Sequence, residues 1–286
     1  MTLNHYCRLI KYSFVLCCSI LIGKSFSPQE IDLRENLQYN DNEREYFLLY
    51  KDELNYKIEG PVRLEIISRR AIPDKSKRKY EFGYTLSLEG SKPVDVIHSK
   101  YKKKNMISKT HPGHGYTQSG NTIVNLPKGS HNLKIVPLHK GKPILIRVIK
   151  EIYKRTEGIT EIVTPLSDKN DVLENDLFVI KNNKRKYFQL KNDEIWSLDG
   201  IENEIFSIYG RTNDFVDDFR FSFYHIEVLV NQKHKHFIID FLLDGNNVQK
   251  NKIYQLINND QNKVSLKLIE SNAPVFLRLI KNTPYE

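Results

Sequence analysis

Polar and apolar residues alternate over several short stretches of the chain, which is typical of β-strands that bury one face. Residues 62–69 (VRLEIISR) place Val62, Leu64 and Ile66 on one face and mainly charged residues on the other. Residues 80–88 (YEFGYTLSL) alternate in the same way. Clusters of Gly, Pro, Asn and Lys separate such stretches, and no heptad repeat occurs. The pattern predicts an all-β fold with antiparallel strands.

A nine-residue stretch at 142–150 (KPILIRVIK) recurs near the C-terminus at 273–281 (APVFLRLIK), with four identical positions. Residues 144–149 are apolar on both faces except for Arg147, as expected for a strand in the middle of a sheet. Four further matches follow in the same order: 46–49 (YFLL) with 187–190 (YFQL), 52–54 (DEL) with 193–195 (DEI), 66–69 (IISR) with 208–211 (IYGR), and 133–136 (LKIV) with 266–269 (LKLI). The recurrence predicts an internal duplication.

The duplication predicts two tandem, related antiparallel β-sandwich or open-barrel domains. We call residues 45–151 unit 1 and residues 186–282 unit 2. Residues 28–44 are polar and acidic, and they are interpreted as a loosely ordered lead-in with one short helix at most. Residues 152–185 are interpreted as a connector.

The N-terminus has the features of a cleaved signal peptide, predicted to cover residues 1–27. Two basic residues precede an uncharged run of 12 residues at 12–23, which is shorter than the about 20 residues that span a bilayer. Small residues favour cleavage after Ser27, and the alternatives are an uncleaved anchor and a lipoprotein attached through Cys18. The pattern predicts an exported protein, periplasmic, surface-located or secreted, with no transmembrane segment after the signal.

Charge is distributed unevenly along a chain whose net charge is +9. Residues 44–155 contain 24 Lys or Arg and 10 Asp or Glu, whereas residues 156–286 contain 16 and 20. Unit 1 is therefore basic and the rest of the mature chain is mildly acidic. The asymmetry favours an anionic partner for unit 1, or docking of unit 1 on an acidic neighbour.

The sequence lacks the common motifs for catalysis and nucleotide binding, including G-x-S-x-G, H-E-x-x-H, the P-loop and G-x-G-x-x-G. Two close histidine pairs, His111/His114 and His234/His236, have no evident third ligand. The sequence therefore predicts no catalytic residue, no metal and no cofactor. It favours a protein that is not an enzyme, with a glycoside hydrolase that uses two distant carboxylates as the alternative.

Arginines at matched positions within the duplicated strands are predicted to have a structural role. Arg147, Arg278 and Arg211 belong to this group. A half-buried guanidinium group needs a partner. The candidate partners are backbone carbonyl groups at a strand end, or the matched acids Asp52, Glu53, Asp193 and Glu194.

Residues 99–120 are rich in Lys and Gly and low in apolar residues, which predicts a long loop. Unit 1 has about ten more residues than unit 2 in the interval containing this segment, because the offset between matches falls from 142 to 133. The loop and a nearby cluster form the predicted binding site for a polyanion: Lys100, Tyr101, Lys102, Lys103, Lys104, Lys109, Arg69 and Arg70. The plainer interpretation is a solvated basic face.

These features together predict an exported binding or scaffold protein of the cell envelope or the exterior. Its expected partner is an envelope protein, an anionic glycan or a lipid headgroup, contacted by unit 1. Nucleic acid is not expected as a partner of an exported chain. The alternative is a structural component of an envelope assembly that binds no small ligand.

Overall fold

The computed structural model describes residues 25–30, 33–40, 42–72, 79–150, 158–169, 173, 175–180, 183–199, 205–212, 220–230, 234–243, 255–257 and 263–284. Strands and turns make up this part of the chain, which confirms the predicted all-β class. The strands are β1 (Ser25–Phe26), β2 (Arg34–Tyr39), β3 (Asn42–Leu49), β4 (Leu54–Ile72), β5 (Lys79–Leu88), β6 (Val94–Lys103), β7 (Ile107–Ser108), β8 (Gly115–Thr117), β9 (Gly120–Pro137), β10 (Ile144–Lys150), β11 (Gly158–Val163), β12 (Leu166–Ser167), β13 (Asn175–Ile180), β14 (Asn183–Leu190), β15 (Ile195–Asp199), β16 (Ile205–Thr212), β17 (Phe221–Val230), β18 (His234–Leu243), β19 (Gln255–Ile257), β20 (Lys263–Ser271) and β21 (Val275–Pro284).

Unit 1 is a sandwich in which two long strands, β4 and β9, take part in both sheets. The C-terminal half of β4 pairs with β10, which continues to β3 and β2. The N-terminal half of β4 pairs with the C-terminal half of β9, which continues to β5 and β6. The two strands approach closely at the register shift between Gly60 and Val62, because a side chain on Gly60 would lie 1.7 Å from the carbonyl oxygen of Pro127. Only glycine fits there without a backbone shift.

The strand register of unit 1 recurs in unit 2. Ile144 of β10 pairs with Leu49 of β3, and the counterpart Val275 of β21 pairs with Leu190 of β14. The pairing of β10 with β4 likewise corresponds to the pairing of β21 with β16, residue for residue. Because a slip of one residue would reverse every side chain, the same positions face the same way in both units. The units are thus related sandwiches, as the duplication predicts.

Three details of the sequence interpretation are wrong. The segment interpreted as a connector contains β11, which pairs with β21, β12, which pairs with β15, and β13, which pairs with β14. Unit 2 therefore includes β11 to β14, and unit 1 likewise includes β1 and β2. The segment predicted as a loosely ordered lead-in contains β2 and the start of β3, an ordered hairpin in which Leu37 is buried. The match of Leu54 with Ile195 is displaced by one residue. Tyr56 pairs with Leu133, and Trp196 pairs with the counterpart Leu266, so unit 2 is one residue shorter at this point. Leu54 is accordingly buried, whereas Ile195 is exposed.

The two units share one continuous sheet, which the sequence interpretation did not foresee. Phe237 to Asp240 of β18 pair in parallel with Thr122 to Asn125 of β9. The sheet of β12, β15, β20, β17 and β18 thereby extends into the sheet of β9, β4, β10, β3 and β2. Backbone hydrogen bonds, as well as side-chain packing, therefore fix unit 2 against unit 1.

Strands β17 and β18 are buried on both faces because a different core lies on each side. One face, with Phe221, Phe223 and Phe241, belongs to the core of unit 1. The opposite face, with Tyr224 and Ile226, belongs to the core of unit 2. This double burial explains the near-continuous apolar sequence of β17. The two cores depend on each other through this pair of strands.

Two histidines flank Phe237 at this junction. His98 of β6 and His225 of β17 are both buried, and their ring centroids lie 5.2 and 5.1 Å from that of Phe237. The charged groups nearby are Lys100 and Lys235, and Lys235 forms an ion pair with Glu227. Burial lowers the pKa of His98 to about 3 and the pKa of His225 to about 4. Both imidazoles are therefore neutral near pH 7.

The predicted signal peptide lies almost entirely outside the described residues. Its last residues do not, because Ser25 and Phe26 form β1, which pairs with Ile149 and Val148 of β10. Strand β11 pairs with β21 in the corresponding place of unit 2. Cleavage after Ser27 would therefore remove β1, whose counterpart in unit 2 is β11. Among the described residues, no helix is long and apolar enough to span a membrane.

Acid is expected to destabilise the junction through its two histidines. The unfolded chain, with histidine pKa values near 6.5, binds more protons than the folded chain as the pH falls from about 6.5 towards 4. The free energy of unfolding must therefore decrease over this range. Replacing His225 by Phe should remove on the order of 2 kcal/mol of this decrease between pH 7.5 and pH 4.5, measured by urea unfolding.

Substitution of an exposed histidine, His139→Gln, is the matched control and should leave the pH dependence unchanged. An equal loss of stability in acid for the wild type and for His225→Phe would contradict the role of this histidine.

Candidate functional site

The outer face of unit 1 is the face of β2, β3, β4 and β10 that points away from the main core. Cross-strand partners share a face, and so do residues two apart on one strand. Register therefore places Arg44 and Tyr46 of β3, Arg69 of β4 and Arg147 of β10 on this face. A second apolar cluster covers part of it, formed by Leu37, Tyr46, Ile67, Ala71, Met106, Tyr116 and Leu145.

A cavity of about 310 Å³ opens beside this cluster. It is lined by Leu37, Tyr39, Asn40, Asn42, Arg44, Tyr46, Arg69, Lys103 and Met106. Three of these side chains are cationic, and no carboxylate is among the described residues that line the cavity. The volume lies at the lower end of the range for small-molecule sites, about 300–1,000 Å³. The cavity is therefore suited to a small anionic group.

Arg69 is the buried cation of the cavity. Its Nε donates a hydrogen bond to the hydroxyl oxygen of Tyr46 at 3.1 Å, and its Nη1 donates to the carbonyl oxygen of Thr117 at 2.8 Å. Only 8% of Arg69 is exposed, and neither hydrogen-bond acceptor carries a negative charge. A buried charge without a counter-ion is costly, and guanidinium binds carboxylate, sulfate and phosphate well. An anion in the cavity would lower that cost.

Lys103 forms another wall of the cavity with Tyr39. The Lys103 ammonium nitrogen lies 4.4 Å from the centroid of the Tyr39 ring. Hydrogen bonding to Lys103 and the charge of this lysine lower the pKa of the Tyr39 hydroxyl. The side chain of Lys103 is half-buried. It therefore presents a positioned charge, unlike the fully solvated lysines nearby.

A buried carboxylate anchors the segment of residues 104–118 that covers the outer face. Glu35 of β2 accepts hydrogen bonds from the hydroxyl of Ser108, from the hydroxyl of Tyr116 at 3.0 Å and from Nδ1 of His111 at 2.8 Å. The Ser108 hydroxyl oxygen accepts hydrogen bonds from the backbone N–H groups of Thr110 and His111. Glu35 thus holds the segment that brings Met106 to the cavity.

The eight residues of the predicted polyanion site do not converge. Arg69 and Lys103 line the cavity. Arg70 points to the other face of β4, where it donates to the carbonyl oxygen of Glu81 and lies over the ring of Tyr80. Lys100 is half-buried near Lys235, and burial lowers its pKa. The remaining residues are exposed: Tyr101, Lys102, Lys104 and Lys109.

Arg147, Arg211 and Arg278 are half-buried, but Glu53, suggested as a partner of Arg147, lies elsewhere. Glu53 contacts Lys134 at 3.1 Å and accepts a hydrogen bond from Asn55, because it directly precedes the half of β4 that pairs with β9. Arg147 instead lies on the outer face with Glu65 and Tyr46. Glu53 is therefore not the partner of Arg147.

The first histidine pair, His111 and His114, lies within the segment of residues 104–118. The rings of His111 and His114 stack with centroids 5.0 Å apart and an interplanar angle of 5°. Within the described residues, no group of three or more His, Cys, Asp or Glu side chains is arranged to hold a metal ion. The predicted absence of a metal site stays a prediction, because parts of the chain fall outside this description.

Sequence reasoning missed several residues of the cavity. Arg44, Tyr39 and Tyr46 come from the β2–β3 hairpin, most of which lies in the predicted lead-in of residues 28–44. The available signal was alternation in residues 42–49 (NEREYFLL), where Arg44, Tyr46 and Leu48 share one face. Met106 carried no such signal, because its burial depends on the fold of the segment around it.

Comparison with protein-family models finds no match, and no curated protein matches the sequence. Solved structures give only distant similarity. The tandem CBM22-1–CBM22-2 domains of Xyn10C from Paenibacillus barcinonensis align over 93% of this chain and 99% of theirs, with 6% identity and a TM-score of 0.28. The plant receptor-like kinase FER aligns over 91% of this chain and 88% of its own, with 8% identity and a TM-score of 0.21.

The third structure contains the M60 catalytic domain with the CBM51-1 and CBM51-2 domains of ZmpB from Clostridium perfringens. It aligns over 91% of this chain and 38% of its own length, with 11% identity and a TM-score of 0.22. With TM-scores between 0.21 and 0.28, these similarities indicate no function for this chain.

Removal of the charge on Glu35 is expected to loosen the segment of residues 104–118. In Glu35→Gln the side-chain N–H₂ group would face hydroxyl and imidazole donors, so the free energy of unfolding should fall by about 1–3 kcal/mol. Trypsin cleavage after Lys104 and Lys109 should become faster in limited proteolysis under native conditions.

The matched control is Glu43→Gln, which breaks the exposed ion pair between Glu43 and Lys109. An exposed ion pair contributes about 0–1 kcal/mol, so this variant should resemble the wild type in both measurements. Equal proteolysis of the two variants would rule out Glu35 as the anchor.

Proposed function

We propose that this protein is an exported, non-enzymatic binding protein whose unit 1 holds an anionic glycan in the cavity of Arg44, Arg69 and Lys103. The observation that carries the proposal is the buried guanidinium of Arg69, whose hydrogen-bond acceptors are both neutral. Charge-assisted hydrogen bonds to a carboxylate or sulfate group are roughly twice as strong as neutral ones. The cavity thus supplies donors that an anion would use.

The remaining lining residues favour a sugar as the carrier of the anionic group. Asn40 and Asn42 line the cavity and provide side-chain amides that can donate to and accept from hydroxyl groups. Tyr39 adds a phenol at the cavity wall. The cavity volume suits the charged end of a saccharide better than a long stretch of polymer. An acidic protein would need a broader basic surface than this cavity offers.

The proposal that the protein is not an enzyme rests on the side chains at the cavity. Hydrolysis of glycosides ordinarily needs a pair of carboxyl groups beside the scissile bond, and the described lining residues include none. Export is proposed from the N-terminal sequence pattern alone. If unit 1 binds no anionic saccharide, a structural role in an envelope assembly becomes the better explanation. The observation that favours this role is the sheet shared by the two units.

Binding can be tested with two short anionic saccharides, a heparin-derived disaccharide and digalacturonate, against neutral cellobiose. Titration calorimetry should detect both anions and no cellobiose. Removing two charges at the cavity in Arg44→Gln/Lys103→Gln should weaken binding to unit 1 at least tenfold, since hydrogen bonds to charged groups contribute about 1.5–3 kcal/mol each.

The matched control removes two exposed charges outside the cavity, in Lys128→Gln/Lys140→Gln. This variant has the same net charge as the cavity variant and should bind within twofold of the wild type. An equal loss in both variants would point to a general electrostatic effect. Failure of the wild type to bind either anion would refute the proposed function.

A further inference from the structure

We propose that unit 2 carries a second anion-binding site, formed on its outer face by Arg185, Tyr187, Arg211 and Arg278. The outer face of unit 2 is the face of β13, β14, β16 and β21 that carries Tyr187. The proposal extends the function proposed for unit 1 and rests on it. It assigns a role to the matched arginines that the cavity of unit 1 does not by itself explain.

The register carries the correspondence between the two faces. Offsets of 141 in β14, 142 in β16 and 131 in β21 convert each unit 1 pairing into its unit 2 counterpart. The same offsets convert Arg44, Tyr46, Arg69 and Arg147 into Arg185, Tyr187, Arg211 and Arg278. All four residue types are kept. Three arginines around one tyrosine on a sandwich face are thus a feature of both units.

Contacts within unit 2 match this placement. The guanidinium carbon of Arg211 lies 5.4 Å from the ring centroid of Tyr187, where Arg69 contacts Tyr46 in unit 1. Arg278 pairs across the sheet with Tyr209. Its Nε is buried and makes no hydrogen bond to any described residue. Arg185 is half-buried as well, so the group is held against the sheet rather than extended into solvent.

The acidic residues at matched positions differ between the two faces. Glu65 faces the arginines of unit 1, whereas the residue at the matched position of unit 2 is Ser207. Glu35 pairs with Tyr46, and Asp176 occupies the corresponding register position opposite Tyr187. Each face therefore has more cationic than acidic residues at the matched positions, although unit 2 as a whole is acidic.

The chemistry that such a group recognises is a small anion with planar or tetrahedral oxygens. Guanidinium groups donate paired hydrogen bonds to carboxylate, sulfate and phosphate, and the tyrosine ring limits where they can lie. The ligand class inferred for unit 2 is therefore that of unit 1, a carboxylated or sulfated saccharide end. One chain would hold two such groups.

Stoichiometry tests whether a second site exists, and substitutions in each unit show where each molecule binds. Titration of the full mature chain with the heparin-derived disaccharide should show two molecules bound per chain. Arg185→Gln should leave one, bound with the affinity of unit 1. Arg44→Gln/Lys103→Gln should leave only the molecule bound to unit 2. The variant that combines all three substitutions should bind none. Lys184→Gln, which removes an exposed charge beside Arg185, should keep both.

The outcomes separate the two proposals. One molecule per wild-type chain, lost in Arg44→Gln/Lys103→Gln, would overturn the second site and leave the function of unit 1 intact. Two molecules per chain with no effect of Arg185→Gln and of Arg278→Gln would also overturn it. No binding of the disaccharide or of digalacturonate by the wild type would refute both proposals together.

Discussion

The alternation of side chains on the strand that closes each sandwich is the constraint on which the rest of the structure depends. β10 lies between β3 and β4, and its residues Ile144, Ile146 and Val148 fill the main core. Its other residues must then point outward. Arg147 can occupy the middle of an apolar strand only because the register directs it to the outer face. The same register gives Arg278 the same position in β21. The alternation that buries apolar residues of these strands in the cores therefore also places their arginines on the outer faces of the two units.

Much of the fold could be predicted from the sequence because the strands carry their own alternation. Residues 62–69, 80–88 and 144–149 lie in β4, β5 and β10, and the repeat offsets reproduce the observed register at most positions. The prediction failed where a polar residue is buried, because the pattern of apolar positions does not reveal it. Glu35 is a buried carboxylate in a polar segment, and its burial becomes favourable only with the donors of residues 108, 111 and 116. No local pattern signals that network.

The junction of the units and the cavity could not be predicted for a related reason. Parallel pairing of β9 with β18 joins residues more than 110 positions apart. The sequence of neither strand indicates which strand it pairs with. The apolar run of β17 was a usable sign, because burial on both faces requires a second core. At the cavity, Arg69 and Lys103 could be selected as cations. The sequence could not show that Lys103, among many lysines, lies against Tyr39. This contact depends on the ends of β6 and β2, which only the fold brings together.

The parallel pairing of β9 with β18 also has a consequence for any ligand that reaches both units. Domains joined by a flexible linker sample many separations, so a second binding event has an effective concentration set by linker length. Here, backbone hydrogen bonds and a shared core replace the linker. The distance between the two outer faces is therefore a fixed property of the sheet. A chain molecule whose charged groups match that distance would gain in affinity, whereas a shorter or differently spaced one would bind as two independent pieces.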